Sequence, residues 1–172
     1  MLSENKTRAG APLMMAIERI LVPIDFSPSS LRALDEAVEF SRPYEAQVVV
    51  MFVVERGYYG SPLLVPDPKV IGAKLEKAAT ARLSRIQQQL ERRGVDCRTV
   101  VRFGVAYQAI LDEAEKINAN LIVIATHGRT GIAHFLLGSV AERVIRGASC
   151  PVLVIRTVAR PRAKKGNQSA TK

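Results

Sequence analysis

Hydrophobic residues occur along this chain in two alternating patterns, short continuous runs and longer helical periods. The runs at Ile20–Ile24, Gln47–Val54 and Leu121–Ala125 are apolar on both sides, which is typical of strands buried in a parallel sheet. The segment Val95–Phe103 alternates apolar and polar residues instead, so it is predicted to form an edge strand. A last apolar run follows Pro151. The pattern therefore predicts five strands.

Between these runs, apolar residues recur at the spacing of amphipathic helices. Ser27 before Pro28 is a typical helix start, and Gly94 is predicted to end a long helix over Lys69–Arg93. The charged face of that helix, which includes Arg82, is predicted to be a solvated surface. A third helix is predicted over Ala106–Asn118. The positions predicted to face the core are Leu31, Leu34, Val38 and Phe40, then Leu75, Ala79, Leu83, Ile86 and Leu90, then Ile110, Leu111, Ala114 and Ile117.

The regular alternation of strands and helices predicts one α/β domain, with a doubly wound parallel sheet and helices on both faces. A length of 172 residues with 48% hydrophobic content suits a single domain with a complete core. Ligands of such sheets bind at the carboxyl ends of the strands. Asp25 closes the first strand there. It is predicted to accept hydrogen bonds from a base or sugar, with a turn residue or a second helix cap as the alternative.

After the fourth strand, the chain enters a loop with two glycines, and a helix then begins at Gly138 and Ser139. The unpaired amides and positive dipole end of a helix start bind anions wherever a glycine lets the backbone come close. This arrangement predicts a phosphate site to which the Ser139 hydroxyl contributes, the alternative being an ordinary turn and helix start. The amides predicted to hold the phosphates are those of Gly128, Arg129, Ser139 and Val140.

This loop matches neither of two well-known phosphate-binding motifs, and it contains no recognisable catalytic arrangement. It has neither the G-K-[ST] of a Walker loop nor a Rossmann G-x-G-x-x-G after a strand. The guanidinium of Arg129 could pair with phosphate or simply be exposed. His127 has no nucleophile or metal-ligand spacing beside it, so it is not predicted to be catalytic. No catalytic residue and no metal ligand is predicted.

Several of these features together resemble the universal stress protein family. Gly128, nine further residues and then Gly138-Ser139 match the latter part of its nucleotide motif, G-x2-G-x9-G-[ST]. The sequence VPIDFS at Val22 to Ser27, Gly104 and the closing SCPVLVIR fit the same family, over roughly residues 20–155. One residue departs from the motif, because its first glycine falls on Ala125, which adds a methyl group beside the expected ligand.

The resemblance implies an adenine nucleotide alpha hydrolase-like sheet of strand order 3-2-1-4-5. In that order Asp25 and Ala125 flank the crevice where the winding reverses. It also implies ATP as the ligand, with or without Mg²⁺, and a homodimer. The final strand of the chain, Pro151 to Arg156, would then form an apolar edge of the sheet and pair with the same strand of a second copy. The residues expected to hold the adenosine are Pro23, Ile24, Asp25 and Val53.

The net charge of +9 is concentrated at one end of the chain. Residues 156–172 carry six basic and no acidic side chains, whereas residues 21–155 carry 16 and 14. We expect a disordered leader over residues 1–17, the stress protein domain over 18–156 and a disordered basic tail over 157–172. The tail is interpreted as solubilising or weakly phosphate-attracted. A specific nucleic-acid arm is less favoured, because no aromatic residues interleave to stack bases.

The remaining observations concern location and cysteine chemistry. No apolar run approaches the ~20 residues of a membrane span, and nothing at the start resembles a signal peptide, so a cytoplasmic protein is predicted. Cys97 and Cys150 are expected to be buried free thiols. Residues 55–68, rich in glycine and proline, are expected to form a functional loop or lid.

Two functions are compatible with these features. The first is an ATP-binding stress or signalling protein that acts as a dimeric switch or partner regulator, with slow hydrolysis at most. The second is a nucleotide-free member of the family that serves as a structural or interaction protein, in which Ala125 marks loss of the site.

Overall fold

The computed structural model describes residues 16–55, 68–126 and 137–156. Strands and helices alternate along these residues. The strands are β1 (Arg19–Pro23), β2 (Gln47–Val54), β3 (Cys97–Phe103), β4 (Leu121–Ala125) and β5 (Val152–Ile155). The helices are α1 (Pro28–Ser41), followed by a 3₁₀ turn (Arg42–Tyr44), then α2 (Pro68–Glu91), α3 (Ala106–Lys116) and α4 (Ser139–Gly147).

The five strands form one parallel sheet in the order β3-β2-β1-β4-β5. This is the order that the family resemblance implies, and β3 lies at an edge as its alternating pattern predicts. Leu21 in the central β1 pairs with Val49 of β2 on one side and with Ile122 of β4 on the other. The chain therefore winds outward through β2 and β3, and then returns past β1 to β4 and β5. The winding reverses between β1 and β4.

Each face of the sheet has its own hydrophobic core, because successive strand side chains point to opposite faces. On one face α1 and α2 pack against residues such as Ile20 and Val48. On the other, α3 and α4 pack against residues such as Leu21 and Val49. All four of these strand side chains are fully buried. Burial on both faces explains why the central strands have continuous apolar runs.

Helix ends follow the predicted local signals. The Ser30 amide donates to the Ser27 hydroxyl oxygen at 3.2 Å, and Pro28 occupies the first turn of α1. At the end of α2, Gly94 has a φ of 75°, and its amide donates to Glu91 O while the Val95 amide donates to Leu90 O. These two bonds define a Schellman motif, which satisfies two carbonyls at the end of the helix. The cap at Ser27 and the stop at Gly94 are confirmed.

Two of the predicted core positions are wrong. Phe40 is 45% exposed and Leu75 is 42% exposed. In α1 the buried stripe is instead made largely of small residues, including Ala33, Ala37 and Ser41. The apolar pattern predicted burial of the large Phe40 side chain. Most of the residues of α1 that are buried against the sheet are small, because the helix packs close to it.

A buried charged pair in α3 was not predicted at all. The side chain of Glu113 is 1% exposed, and its Oε2 accepts from Arg102 Nε at 2.7 Å and from Arg102 Nη2 at 2.6 Å. Glu113 lies on the same inward face of α3 as Ile110 and Ala114. A carboxylate at a core position is tolerated only when it is paired, and the partner on β3 could not be inferred from helical spacing.

Both cysteines are free thiols, as predicted. Cys97 is buried, and burial together with the nearby Glu91 and Asp96 carboxylates raises its pKa to about 12. Cys150 is only half-buried, and desolvation raises its pKa as well. Neither thiol is therefore activated as a nucleophile at neutral pH.

Several predictions concern residues outside the described ranges. These include most of the predicted leader, the loop over residues 56–67 and the basic tail. Ile17, which the sequence assigned to the leader, packs against the core on the α1/α2 face. The packed part of the chain thus extends at least one residue before the predicted boundary at residue 18.

Candidate functional site

A cleft with a volume of about 490 Å³ opens at the carboxyl ends of β1, β2 and β4, beside the point where the winding reverses. This volume falls in the range of roughly 300–1,000 Å³ that is typical of small-molecule sites. Its floor is formed by the strand ends, and its walls by α2 and by the first turns of α3 and α4. The topology therefore places the cleft where ligands of doubly wound sheets bind.

One end of the cleft is the tight turn that joins β1 to α1. Asp25 Oδ1 accepts a hydrogen bond from the Ser27 amide at 3.0 Å and another from the Ser27 hydroxyl at 2.5 Å. The Asp25 amide in turn donates to the Ser30 hydroxyl oxygen at 3.2 Å. Asp25 thus serves as the turn residue that the sequence left open as the alternative, and a ligand contact would be an additional role.

Next to this turn, three side chains that the sequence did not single out form part of the cleft wall. Phe26 has a φ of 62°, a left-handed conformation that costs a non-glycine residue roughly 1–3 kcal/mol and is concentrated at functional sites. Its ring packs against Phe52 with centroids 4.8 Å apart, and the Arg82 guanidinium lies over the Phe26 ring, 3.8 Å from its centroid. We call these three residues the Phe26 stack.

The opposite end of the cleft is made by the end of β4 and the start of α4. Thr126 and Gly138, which lie on either side of residues 127–136, are joined because the Gly138 amide donates to Thr126 O at 2.7 Å. The Thr126 amide donates to Ile155 O at 3.1 Å, so β5 supports this junction. These backbone hydrogen bonds, together with the packing of Ala141 and Val144 in the core, bring the start of α4 to the floor of the cleft.

The first turn of α4 presents backbone donors to this end of the cleft. Gly138 is the N-cap and provides no side-chain cap. The Glu142 amide is the first to bond within the helix, to Gly138 O at 2.9 Å. The amides of Ser139, Val140 and Ala141 precede it, so they have no intrahelical acceptor. Together with the helix dipole they form a site that suits an anionic group.

A carboxylate from β2 shapes the third wall. Glu55 Oε1 accepts from the Ala106 amide at 3.2 Å and so caps the start of α3. Both residues line the cleft. The two helix starts at the cleft therefore differ: the start of α3 is capped by a carboxylate, whereas among the described residues no carboxylate caps the start of α4.

The structure brings together most of the residues predicted for the site. Those that line the cleft are Pro23, Ile24, Asp25, Val53, Ala125, Gly138, Ser139 and Val140. Gly128, Arg129 and His127 lie outside the described residues. Ala125 is 8% exposed, so its methyl group forms part of the floor where the motif of the family has a glycine. Contact of these residues with a ligand stays a prediction.

Sequence reasoning missed the Phe26 stack. Phe26 was quoted only as part of VPIDFS, and Arg82 was assigned to a solvated helix face. Leu75, Ala78, Ala79 and Arg82 of α2 all line the cleft. Their spacing of three and four residues puts them on one helix face, so the pattern contained a signal, but nothing in it indicated that this face borders a site.

Comparison with known proteins agrees with this geometry. The universal stress protein family matches residues 16–156. The chain belongs to the universal stress protein family. Universal stress protein MJ0531 of Methanocaldococcus jannaschii is 35% identical over 139 residues, which cover 81% of this chain and 82% of that protein.

Solved structures of the family share the fold. Universal stress protein UspA from Lactobacillus plantarum superposes with a TM-score of 0.74 at 27% identity, covering 81% of this chain and 98% of that one. A universal stress protein solved in complex with cAMP gives a TM-score of 0.64 at 26% identity, covering 83% of this chain and 99% of that one.

Two kinds of feature are absent from the described residues. No cluster of three or more His, Cys, Asp or Glu side chains that could hold a metal ion was found within residues 16–55, 68–126 and 137–156. Among the helices described, none is both long and apolar enough to cross a membrane.

Proposed function

We propose that this universal stress protein binds an adenine nucleotide, ATP, in the cleft and acts as a dimeric switch or partner regulator in a cytoplasmic stress or signalling response. The observation that carries the proposal is the first turn of α4, where the amides of Ser139, Val140 and Ala141 face a cleft that also contains Asp25. Anion donors at one end and a carboxylate acceptor at the other match the two chemistries of a nucleotide.

Phosphate would lie at the α4 end, with the Ser139 hydroxyl donating to a phosphate oxygen. Ser139 is exposed at the cleft, and among the described residues no side chain caps α4 in this place. Gly128 and Arg129 are proposed to complete the cradle. Mg²⁺, if used, would be bound to the phosphates. The family member in complex with cAMP supports an adenine nucleotide as the ligand class.

Adenosine would lie toward β1 and β2. Pro23, Ile24 and Val53 offer apolar surface at the strand ends, and Asp25 offers an acceptor. This is the side on which the Phe26 stack adds aromatic surface. A cleft of about 490 Å³ has room for a ligand that reaches from here to α4.

The described residues favour binding over turnover. The two carboxylates that line the cleft both accept hydrogen bonds from protein groups, Asp25 from Ser27 and Glu55 from Ala106. A general base has to be within reach of the attacking water, whereas these side chains are held by the turn and by the helix start. We therefore propose slow hydrolysis at most.

The second candidate is a nucleotide-free structural or interaction protein. The Ala125 methyl group favours it, because this residue lies on the floor of the cleft, where the family motif has a glycine. In that case the cleft would no longer bind a ligand, and the protein would act through its surface.

Purification of the full chain distinguishes the two candidates. The ratio of absorbance at 260 and 280 nm reports bound nucleotide sensitively because the chain has no tryptophan. Ligand-free protein is then heated with and without Mg-ATP. Binding to the folded state alone adds about 2.7 kcal/mol at a hundredfold excess over the dissociation constant, so the unfolding midpoint should rise. An unchanged midpoint at millimolar ATP, with a folded protein, would leave only the nucleotide-free candidate.

The dimer is proposed to form through Pro151 to Arg156. Within the described sheet β5 is an edge strand, and its four residues are all partly exposed. An apolar edge of this kind needs a cover, and a second copy of β5 under two-fold symmetry supplies one. Light scattering that gave the mass of one 18.8 kDa chain at tens of micromolar would reject it.

A Val154→Lys variant makes the dimer test specific. It places like charges near the two-fold axis and should shift the protein toward monomer. Val154 also packs against the core on the α3/α4 face, so circular dichroism must show that the variant is folded.

A further inference from the structure

Arg82 differs from the other charged residues of the cleft. The charged side chains that line it are Asp25, Glu55 and Arg82. Asp25 and Glu55 accept hydrogen bonds from Ser27 and Ala106. The Arg82 guanidinium, within the described residues, has a ring contact with Phe26 and no hydrogen bond or ion pair. The cleft thus contains a cation whose charge is not neutralised by its described surroundings.

The ring contact orients this cation without using its hydrogen-bond donors. A guanidinium that lies over an aromatic ring contacts it through its flat face, while its N–H groups point outward in the plane. Those N–H groups match phosphate or carboxylate oxygens in a two-pronged arrangement. The flat face of the Arg82 guanidinium therefore contacts the Phe26 ring, while its N–H groups are able to bind an anion.

The platform under Arg82 is itself fixed. Phe26 has its left-handed conformation in the turn between β1 and α1, and Phe52 packs against it from β2. Two strand ends therefore set the position of the ring. A long, flexible side chain loses less entropy on binding when it is already positioned, so this support favours recognition by Arg82.

We infer that Arg82 is a specificity-determining residue of the cleft, which contacts the anionic part of the ligand and selects nucleotides over uncharged nucleosides. This inference rests on the proposed nucleotide binding and adds a second anion contact, on α2: with the adenosine against the strand ends and the two phenylalanine rings, the phosphate groups would extend from the Arg82 guanidinium to the amides of α4. The class of ligand is an adenine nucleotide with at least one phosphate group.

The test compares the affinities of ATP and adenosine for the wild type and for Arg82→Gln by isothermal titration calorimetry. A charge-assisted contact is typically worth about tenfold in affinity. We expect Arg82→Gln to lower the affinity for ATP about tenfold and to leave the affinity for adenosine within about twofold of the wild-type value. Arg82→Lys, which keeps the charge but not the planar fork, should fall in between.

The chain provides a matched control in Arg143. Its guanidinium also lies over an aromatic ring, that of Tyr107 at 4.8 Å, but it is not among the residues that line the cleft. Arg143→Gln removes the same charge near the start of α4. ATP affinity should be unchanged in this variant, which separates a local contact from a general loss of positive charge.

Each other outcome contradicts the inference in a recognisable way. An equal loss of affinity for ATP and for adenosine in Arg82→Gln would show that Arg82 shapes the pocket or stacks on the base. No weakening, or an equal effect of Arg143→Gln, would show that Arg82 makes no specific contact. If the wild type itself does not bind ATP, the proposed function fails first, and the inference falls with it.

Discussion

The two ends of the cleft are built in different ways. At the β1–α1 turn, side chains satisfy one another, since Asp25 accepts from Ser27 and Ser30 accepts from the Asp25 amide. At the β4–α4 junction, backbone hydrogen bonds join the two elements, and no side chain of the described residues caps the first amides of α4. The first end thus uses its polar groups within the fold, whereas the second has backbone donors with no acceptor inside helix α4, and we propose that these bind a ligand.

This contrast indicates that stability and binding should separate between the two ends. A residue at the Asp25 end contributes to the folded state whether or not ligand is present. A residue at the start of α4 contributes mainly when an anion is bound. Single substitutions at the two ends can therefore be compared by one pair of measurements, unfolding free energy and ATP affinity.

The largest effect is expected from Asp25→Ala. The change leaves the amide and hydroxyl of Ser27, a 9% exposed residue, without their carboxylate acceptor. Hydrogen bonds to charged groups contribute about 1.5–3 kcal/mol, so the free energy of unfolding should fall by about 2 kcal/mol. Urea denaturation measures this loss.

Asp35→Ala is the matched control for that variant. Asp35 lies on α1 with its side chain 72% exposed, and its only ion pair in the described chain, with Arg93, is 3.9 Å long. Its removal should change the unfolding free energy by less than about 0.5 kcal/mol. Similar losses in both variants would contradict the view that Asp25 is built into the turn.

A smaller effect, on binding instead of stability, is expected from the pair Gly138→Val and Ser139→Ala. The valine side chain blocks the approach to the α4 amides, and the alanine removes the hydroxyl donor. ATP affinity should fall at least tenfold, or about 1.4 kcal/mol, while the unfolding free energy changes by less than about 1 kcal/mol.

Calorimetry and urea denaturation on the same preparation check this expectation. An unchanged ATP affinity would move the phosphates away from α4. A loss of stability as large as that of Asp25→Ala would show that the two ends of the cleft are not specialised in the way proposed.

The smallest effect is expected from Ala125→Gly, which restores the glycine of the family motif at the floor between the two ends. If the methyl group crowds the ligand, ATP affinity should rise by a few-fold, or roughly 0.5–1 kcal/mol. Glycine in a strand costs a similar amount of stability, so the unfolding free energy should fall slightly. A fall in affinity would show that the ligand is accommodated beside Ala125 in a shifted pose.

The chain sequence alone determined most of the framework. The bounds of β2 and β4 agree with their β-branched runs, because a strand buried on both faces requires apolar residues at every position. Ser27-Pro28 and Gly94 set helix ends through local hydrogen bonds and a positive φ, which depend on neighbouring residues only. Asp25 and Ala125 could be assigned to the two sides of one crevice once the family resemblance supplied the strand order 3-2-1-4-5, because ligands of such sheets bind where the winding reverses.

Only the tertiary structure decided which partners these residues meet. Arg82 lies 56 residues after Phe26 in the chain, and Glu113 pairs with Arg102 on a different element. A periodic pattern reports which face of a helix is apolar, whereas the charge and ring contacts of one side chain depend on the elements packed beside it. The sequence pattern therefore predicts that Arg82 lies on a solvated face of α2. The packing of α2 against β2 and β3 instead brings Arg82 to the wall of the cleft.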